Sequence, residues 1–234
     1  MLIARRIVGD IRRGGGFTIG NRLPSEKVML ETYQIGRGTL REALRFLELQ
    51  GVISLKPGPG GGPTVERPDA SHLATSLVLL LEFSDAPFST VVQARVDLEP
   101  ILARLASERM TDEHMGKLIT SVDEMRSNLN DKDVFLQTNK DFHGLIAWTS
   151  GNSLYGYLID TLIEIVDGTS LGVDYPVKRR GAILEAHSRI LNALLAHDGD
   201  SSQESMAQHM GEYERYLQKR YHDVLSEPIT WDML

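Results

Sequence analysis

Apolar residues Leu2, Ile3, Ile7, Val8 and Ile11 recur at the spacing of one helix face, and Gly14-Gly15-Gly16 is expected to end that helix. Leu23-Pro24-Ser25-Glu26 reads as the start of a second helix, with Ser25 as N-cap and an apolar run through Val28, Met29 and Leu30 to about Tyr33. Gln34-Ile35-Gly36 makes a short turn. A third helix then opens at Arg37, lines Leu40, Ala43, Leu44 and Leu47 along one face, and stops at Gly51. Two helices joined by a three- or four-residue turn containing glycine form a helix-turn-helix. Val52 to Lys56 alternates like a strand, Pro57 to Pro63 is a glycine- and proline-rich loop, and Thr64-Val65-Glu66 can return as its partner, which makes a β-hairpin wing.

From Asp69 onward the pattern changes to long segments with a period near 3.6 and no convincing strand. Seven helices are expected near 70–83, 88–110, 112–128, 131–149, 153–168, 176–197 and 201–223. Thr111-Asp112-Glu113 reads as a capped start, and Ser150-Gly151-Asn152, Asp167-Gly168 and Asp198-Gly199-Asp200 as breaks. The fold class expected is mainly α: a winged helix-turn-helix over 1–67, an all-helical antiparallel bundle of about seven helices over 68–228, and a tail over 229–234.

Charge divides the chain in the same place. Residues 1–67 hold 11 basic and 6 acidic residues, a net of +5, while the rest hold 14 and 26, a net of −12. A basic segment on an acidic body suits binding of a polyanion by one end only. The chain has no cysteine, which excludes disulfide frameworks and thiolate zinc sites and fits a reducing compartment, so a cytoplasmic location is expected. The N-terminal helix is interrupted by arginines and the longest greasy stretch, around Leu77 to Leu81, is too short to span a bilayer, so no membrane partner is expected.

Leu23-Pro24-Ser25-Glu26, Arg37-Gly38-Thr39-Leu40-Arg41-Glu42-Ala43-Leu44, Leu47-Glu48, Gly51 and the wing resemble the DNA-binding pattern of the GntR-type regulators. Arg95-Val96-Asp97-Leu98-Glu99, Asp141-Phe142-His143, Gly151-Asn152, Glu185-Ala186-His187 and Met206-Ala207-Gln208-His209 are similar to landmarks of the FCD domain of its FadR-like branch. The resemblance implies a ligand-responsive transcription regulator, expected to be a repressor that acts as a homodimer on double-stranded operator DNA. Two half-sites and two recognition helices go together in such motifs.

An α-helix fits the major groove, where arginine reads guanine bidentately and threonine or helix-start amides hold phosphate. Arg37, Thr39 and Arg41 are the expected contacts, with Gly38 allowing close backbone approach. The resemblance adds Lys27, where the family more often has arginine, and the wing is expected to contribute positionally through glycines such as Gly60.

Asn139 and His143 stand four apart on one helix face, and a bundle could bring His187 and His209 from two other helices to the same point. Imidazoles suit zinc or a similar divalent metal. The resemblance supports this site, although relatives carry aspartate where this chain has Asn139; Asp141 points elsewhere on an ideal helix. Arg95, one turn before Glu99, is either its ion-pair partner, an anchor for an anionic effector, or both. By resemblance, Arg95 and the metal would jointly hold a small organic acid. A metal-dependent enzyme using the histidine cluster, and a metal sensor without an organic ligand, are the alternatives. His114, His197 and His222 read as surface residues, and His72 has no assigned role.

Overall fold

The computed structural model describes residues 1–13, 18–56, 58, 61–165 and 171–233. The chain divides into two compact units, Met1–His72 and Leu73–Leu234.

In the first unit, α1 (Leu2–Arg12), α2 (Glu26–Tyr33) and α3 (Arg37–Leu49) precede the strands β1 (Ile53–Lys56) and β2 (Gly62–Val65). The apolar stripes read from the sequence become its core: Ile3 and Ile7 from α1, Met29 from α2, Leu40 and Leu47 from α3, and Ile53 and Val65 from the hairpin are all buried. Ser25 caps α2 by accepting the Val28 N–H at 3.5 Å. Gly51 ends the turn after α3 with φ +65°, and a Cβ there would run into the His72 ring, so position 51 needs glycine twice over. The break expected at Gly14 to Gly16 lies outside the described residues.

β1 and β2 are antiparallel, Ile53 facing Val65 and Lys56 facing Gly62. The returning strand therefore begins at Gly62, two residues before the expected Thr64. Pro63 has no N–H to give the ladder, but its carbonyl accepts the Leu23 N–H at 2.8 Å, so the segment before α2 adds to the far edge of β2.

The second unit is helical. It comprises α4 (Ala70–Glu82, of which all but the first three residues belong to this unit), α5 (Ser89–Arg109), α6 (Asp112–Ser127), α7 (Lys132–Thr149), α8 (Ser153–Ile165), α9 (Val177–Leu195) and α10 (Gly199–Arg220). These correspond to the seven helices expected. Thr111, Asp131 and Asp198 cap α6, α7 and α10 with their side chains. The long helix α5 packs against α7, α8, α9 and above all α10, burying Phe88, Leu102, Phe142, Ile146 and Ile159 among others. The break expected at Asp167-Gly168 lies outside the described residues.

The trailing tail expected over 229–234 is not what the described residues show at its start. After a short α11 (His222–Ser226), the chain runs back past the start of α5: Phe88 N–H donates to Glu227 O and Ile229 N–H to Ala86 O, each at 2.9 Å, and Ile229 is fully buried. Ile229, Trp231 and Met233 are too few and follow Pro228 too closely to give a periodicity from which to read this. No helix among the described residues is long and apolar enough to cross a membrane.

Candidate functional site

The first turn of α3 is open and exposed. Its N-cap is Gly36, which offers no side-chain oxygen, so the N–H groups that open the helix are left to an outside acceptor. Arg37, Gly38, Thr39 and Arg41 are all exposed there while Leu40 between them is buried, which fixes which face looks outward. Arg37 makes only a loose contact with Glu26 at 3.9 Å. A Cβ on Gly38 would meet nothing within 4 Å, so nothing inside the protein requires glycine at 38. Lys27 is exposed on α2. Gly60 lies outside the described residues. Arg41 also borders a cleft between the helix pair and the hairpin, together with Arg22, Arg45, Glu26 and Glu48. Glu48 is engaged by the Leu55 N–H at 3.1 Å.

In the second unit, α7, α9 and α10 bring His143, His187 and His209 together, one from each helix. Each has a ring nitrogen within 4.8 Å of the others, and all three residues are buried. His143 Nε2 and His209 Nε2 are 3.3 Å apart. The His187 ring stacks on Phe142 at 4.0 Å, and neither of its nitrogens has a hydrogen-bond partner although both are buried. Burial pushes the His187 and His209 imidazolium pKa values well below the usual range, with charge repulsion from the neighbouring cations adding to it, so both rings are neutral near pH 7.

Glu99 on α5 organises the cluster from below. One carboxylate oxygen accepts from His143 Nδ1 and the other accepts Arg95 Nε at 2.6 Å, with all three side chains buried. Burial acts to raise the Glu99 pKa, but the Arg95 and His143 charges outweigh it and hold the value at about 2. Fixing the proton on His143 Nδ1 turns its Nε2 toward the other histidines. Arg95 further stacks over Tyr213 at 5.8 Å. Arg95, Asn139, His143, Arg179, His209 and Tyr213 border one cavity of about 30 Å³, room for about two waters.

A family model described as "Bacterial regulatory proteins, gntR family" matches residues 2–61, and one described as "FCD domain" matches residues 90–212. The chain belongs to the GntR family, in the branch that carries an FCD domain. This GntR protein is 26% identical over 208 residues to "Uncharacterized HTH-type transcriptional regulator YcbG" of Bacillus subtilis, covering 89% of this chain and 85% of that protein. It is 27% identical over 203 residues to "HTH-type transcriptional repressor NanR" of Klebsiella aerogenes, covering 85% and 77%. The solved Streptococcus agalactiae GntR shares its fold with a TM-score of 0.71 at 24% identity, over 92% of this chain and 98% of that one. E. coli McbR/YncC gives 0.51 at 18%, over 94% and 98%. The chain is a transcription regulator of the GntR/FCD type and not an enzyme.

Within this GntR fold the structure brings the three histidines together and places Asn139 on the cavity that His143 and His209 border, while His187 approaches outside that lining. Asp141 is exposed and accepts from Gln137 at 2.9 Å, away from the cluster. Arg95 and Glu99 are paired with each other, and Glu99 faces His143 rather than the open cavity. His114 completes the capping box of α6, His197 contacts the Ser107 carbonyl at 2.8 Å, and His72 packs on Gly51. Sequence reasoning missed Arg179 and Tyr213 on the cavity, and Arg22 and Arg45 beside Arg41. Arg45 was within reach, since it stands one helical turn beyond Arg41. Arg179 was not, because Lys178-Arg179-Arg180 looks like an ordinary exposed charge run.

Proposed function

We propose that this regulator is a cytoplasmic repressor that binds operator DNA through α3 and releases it when a small organic acid enters the helical unit beside a bound divalent metal. The observation that carries the DNA reading is the uncapped, outward-facing first turn of α3. Its free N–H groups and Thr39 suit phosphate, Arg37 and Arg41 suit guanine edges, and the open surface over Gly38 lets the backbone approach closely. Lys27 adds a phosphate contact from α2, and Gly60 of the wing a positional one. Relatives named as repressors favour repression over activation.

The metal reading rests on donor chemistry. Two neutral buried imidazoles and a third aligned by Glu99 are what a zinc-like ion needs, and His187 has two buried ring nitrogens otherwise without a partner. Zinc–nitrogen bonds of about 2.0–2.1 Å in a tetrahedron place donor atoms about 3.3–3.4 Å apart, close to the 3.3 Å between His143 Nε2 and His209 Nε2. His143, His187 and His209 would hold the ion, with the neutral Asn139 amide beside them. The ion would supply a Lewis-acid docking point for a carboxylate, and Arg95 lines the same cavity. A cavity of about 30 Å³ is too small for an acid unless α7, α9 and α10 part, which supplies a physical route from ligand to helix movement.

A dimer suits paired half-sites. The exposed Leu73 and Leu80 on α4 and Phe83 just beyond its end, at 44%, 69% and 89% exposure, offer an apolar strip for it. The test is fluorescence anisotropy with DNA from upstream of the protein's own gene. Arg41→Ala should weaken specific binding by about 1–3 kcal/mol and relax the preference for the base it reads, with the melting temperature unchanged. Equal binding by wild type and Arg41→Ala contradicts the proposal.

A further inference from the structure

Three cationic side chains border the cavity beside the histidine cluster, and they differ in what already compensates them. Arg95 is paired with Glu99 at 2.6 Å and Lys140 with Glu164 at 3.0 Å. Arg179 has no ion-pair partner among the described residues. Its Nη2 donates to the Glu212 carbonyl at 3.2 Å, its guanidinium lies 4.6 Å from the centre of the Tyr216 ring, and its Nε is buried with no acceptor at all. Tyr216 supplies no countercharge, since burial first, and then its neighbour Tyr221, push its hydroxyl up to about 12.

A guanidinium presents donors in a fixed fork, and a buried N–H of that fork without an acceptor is a vacancy that an anion fills well. Arg95 has no such vacancy to offer, because taking a ligand carboxylate on its Nε would mean giving up Glu99, and Glu99 in turn holds His143. Arg179 stands on α9, the helix that also carries His187, and it acts electrostatically on His209.

We infer that Arg179, rather than Arg95, is the residue that grips the effector's charge, and that the effector is a compact acid with two anionic groups, one for the metal and one for Arg179. This rests on the proposed metal- and acid-binding role of the same cavity. The charges agree with it: three histidine ligands bring no negative charge to offset an ion's double charge, the Arg95–Glu99 pair adds none, and Arg179 adds one more. A monoanion would leave two of these three positive charges unmatched in a partly dry site, while a dianion matches two.

The experiment uses the full-length chain loaded with zinc, with zinc content measured separately, and isothermal titration of malonate and succinate against acetate and butyrate. The dicarboxylates should bind roughly 10- to 100-fold more tightly than the monocarboxylates, the range expected for a charge-assisted hydrogen bond. Arg179→Gln should erase that preference while acetate affinity, zinc content and melting temperature stay at wild-type values. Arg179→Lys, which keeps the charge and loses the fork, should retain part of it, and it serves as the test if Arg179→Gln melts early. A preference that survives in both variants, or acetate and succinate binding alike in wild type, overturns the inference and leaves the proposed function standing. Zinc uptake with no binding of any acid overturns both.

Discussion

Glu99 serves two buried partners at once, Arg95 through one oxygen and His143 through the other, and so couples the stability of α5 to the geometry of the histidine cluster. Glu99→Gln leaves Arg95 buried without its counter-ion. It should destabilise the chain by about 3 kcal/mol in urea unfolding and weaken zinc binding by roughly 10- to 100-fold through the loosened His143. Equal zinc affinity in the variant would mean that the carboxylate does not orient the ligand. Asp160 gives a pH prediction of the opposite kind. Its pKa is raised, first by burial, against the lowering effect of the hydrogen bond from Trp148 Nε1 at 2.8 Å, with Glu164 and Asp141 adding to the rise. A carboxylate whose folded pKa lies above its unfolded value of 3.8 makes the folded state less stable as pH climbs through that interval, because the folded chain holds the proton longer. Asp160→Asn keeps an acceptor for Trp148 and removes the penalty, so thermal melts from about pH 4 to about pH 6 should show wild type falling relative to the variant. Parallel curves would contradict this.

At the scale of elements, what could be read from the chain was whatever repeats or caps. The apolar stripes of α1 and α3, the Ser25 and Thr111 caps and the Gly51 stop are local chemistry, and a periodic pattern records them directly. Contacts between distant segments leave no such trace, which is why the anchoring of Ile229 against the start of α5 and the early start of β2 at Gly62 were not legible. The same distinction holds in the cavity. Asn139 and His143 announce themselves by spacing, whereas Arg179 is distinguished from its neighbour Arg180 only by what folds around it: Arg180 is bound by the Tyr175 and Leu129 carbonyls at 2.6 and 2.9 Å, and Arg179 Nε by none. Two substitutions test these elements. Gly51→Ala meets both a left-handed backbone and the His72 ring, and should lower the stability of the first unit by roughly 2 kcal/mol, visible as an earlier transition in a thermal melt. Ile229→Ala should destabilise the helical unit by about 2–4 kcal/mol; a change within error would mean that the returning segment adds nothing.

At the scale of the whole molecule, the first 67 residues carry a net charge of +5 and the rest −12, and in the proposed function the acidic helical part governs the basic DNA-binding part. Binding to DNA through the basic unit should weaken steeply with salt, as phosphate neutralisation requires. The link between units is thermodynamic: an acid that weakens DNA binding must itself be bound less tightly by the DNA-bound protein, by the same factor. The most direct measurement is therefore anisotropy of labelled upstream DNA with the zinc-loaded full-length chain, titrated with succinate and malonate and repeated after metal removal by EDTA. An acid should raise the dissociation constant for DNA at least about five-fold, the lower end of ordinary allosteric coupling, and the effect should vanish without metal. DNA affinity indifferent to every acid tried and to the loss of metal would contradict it.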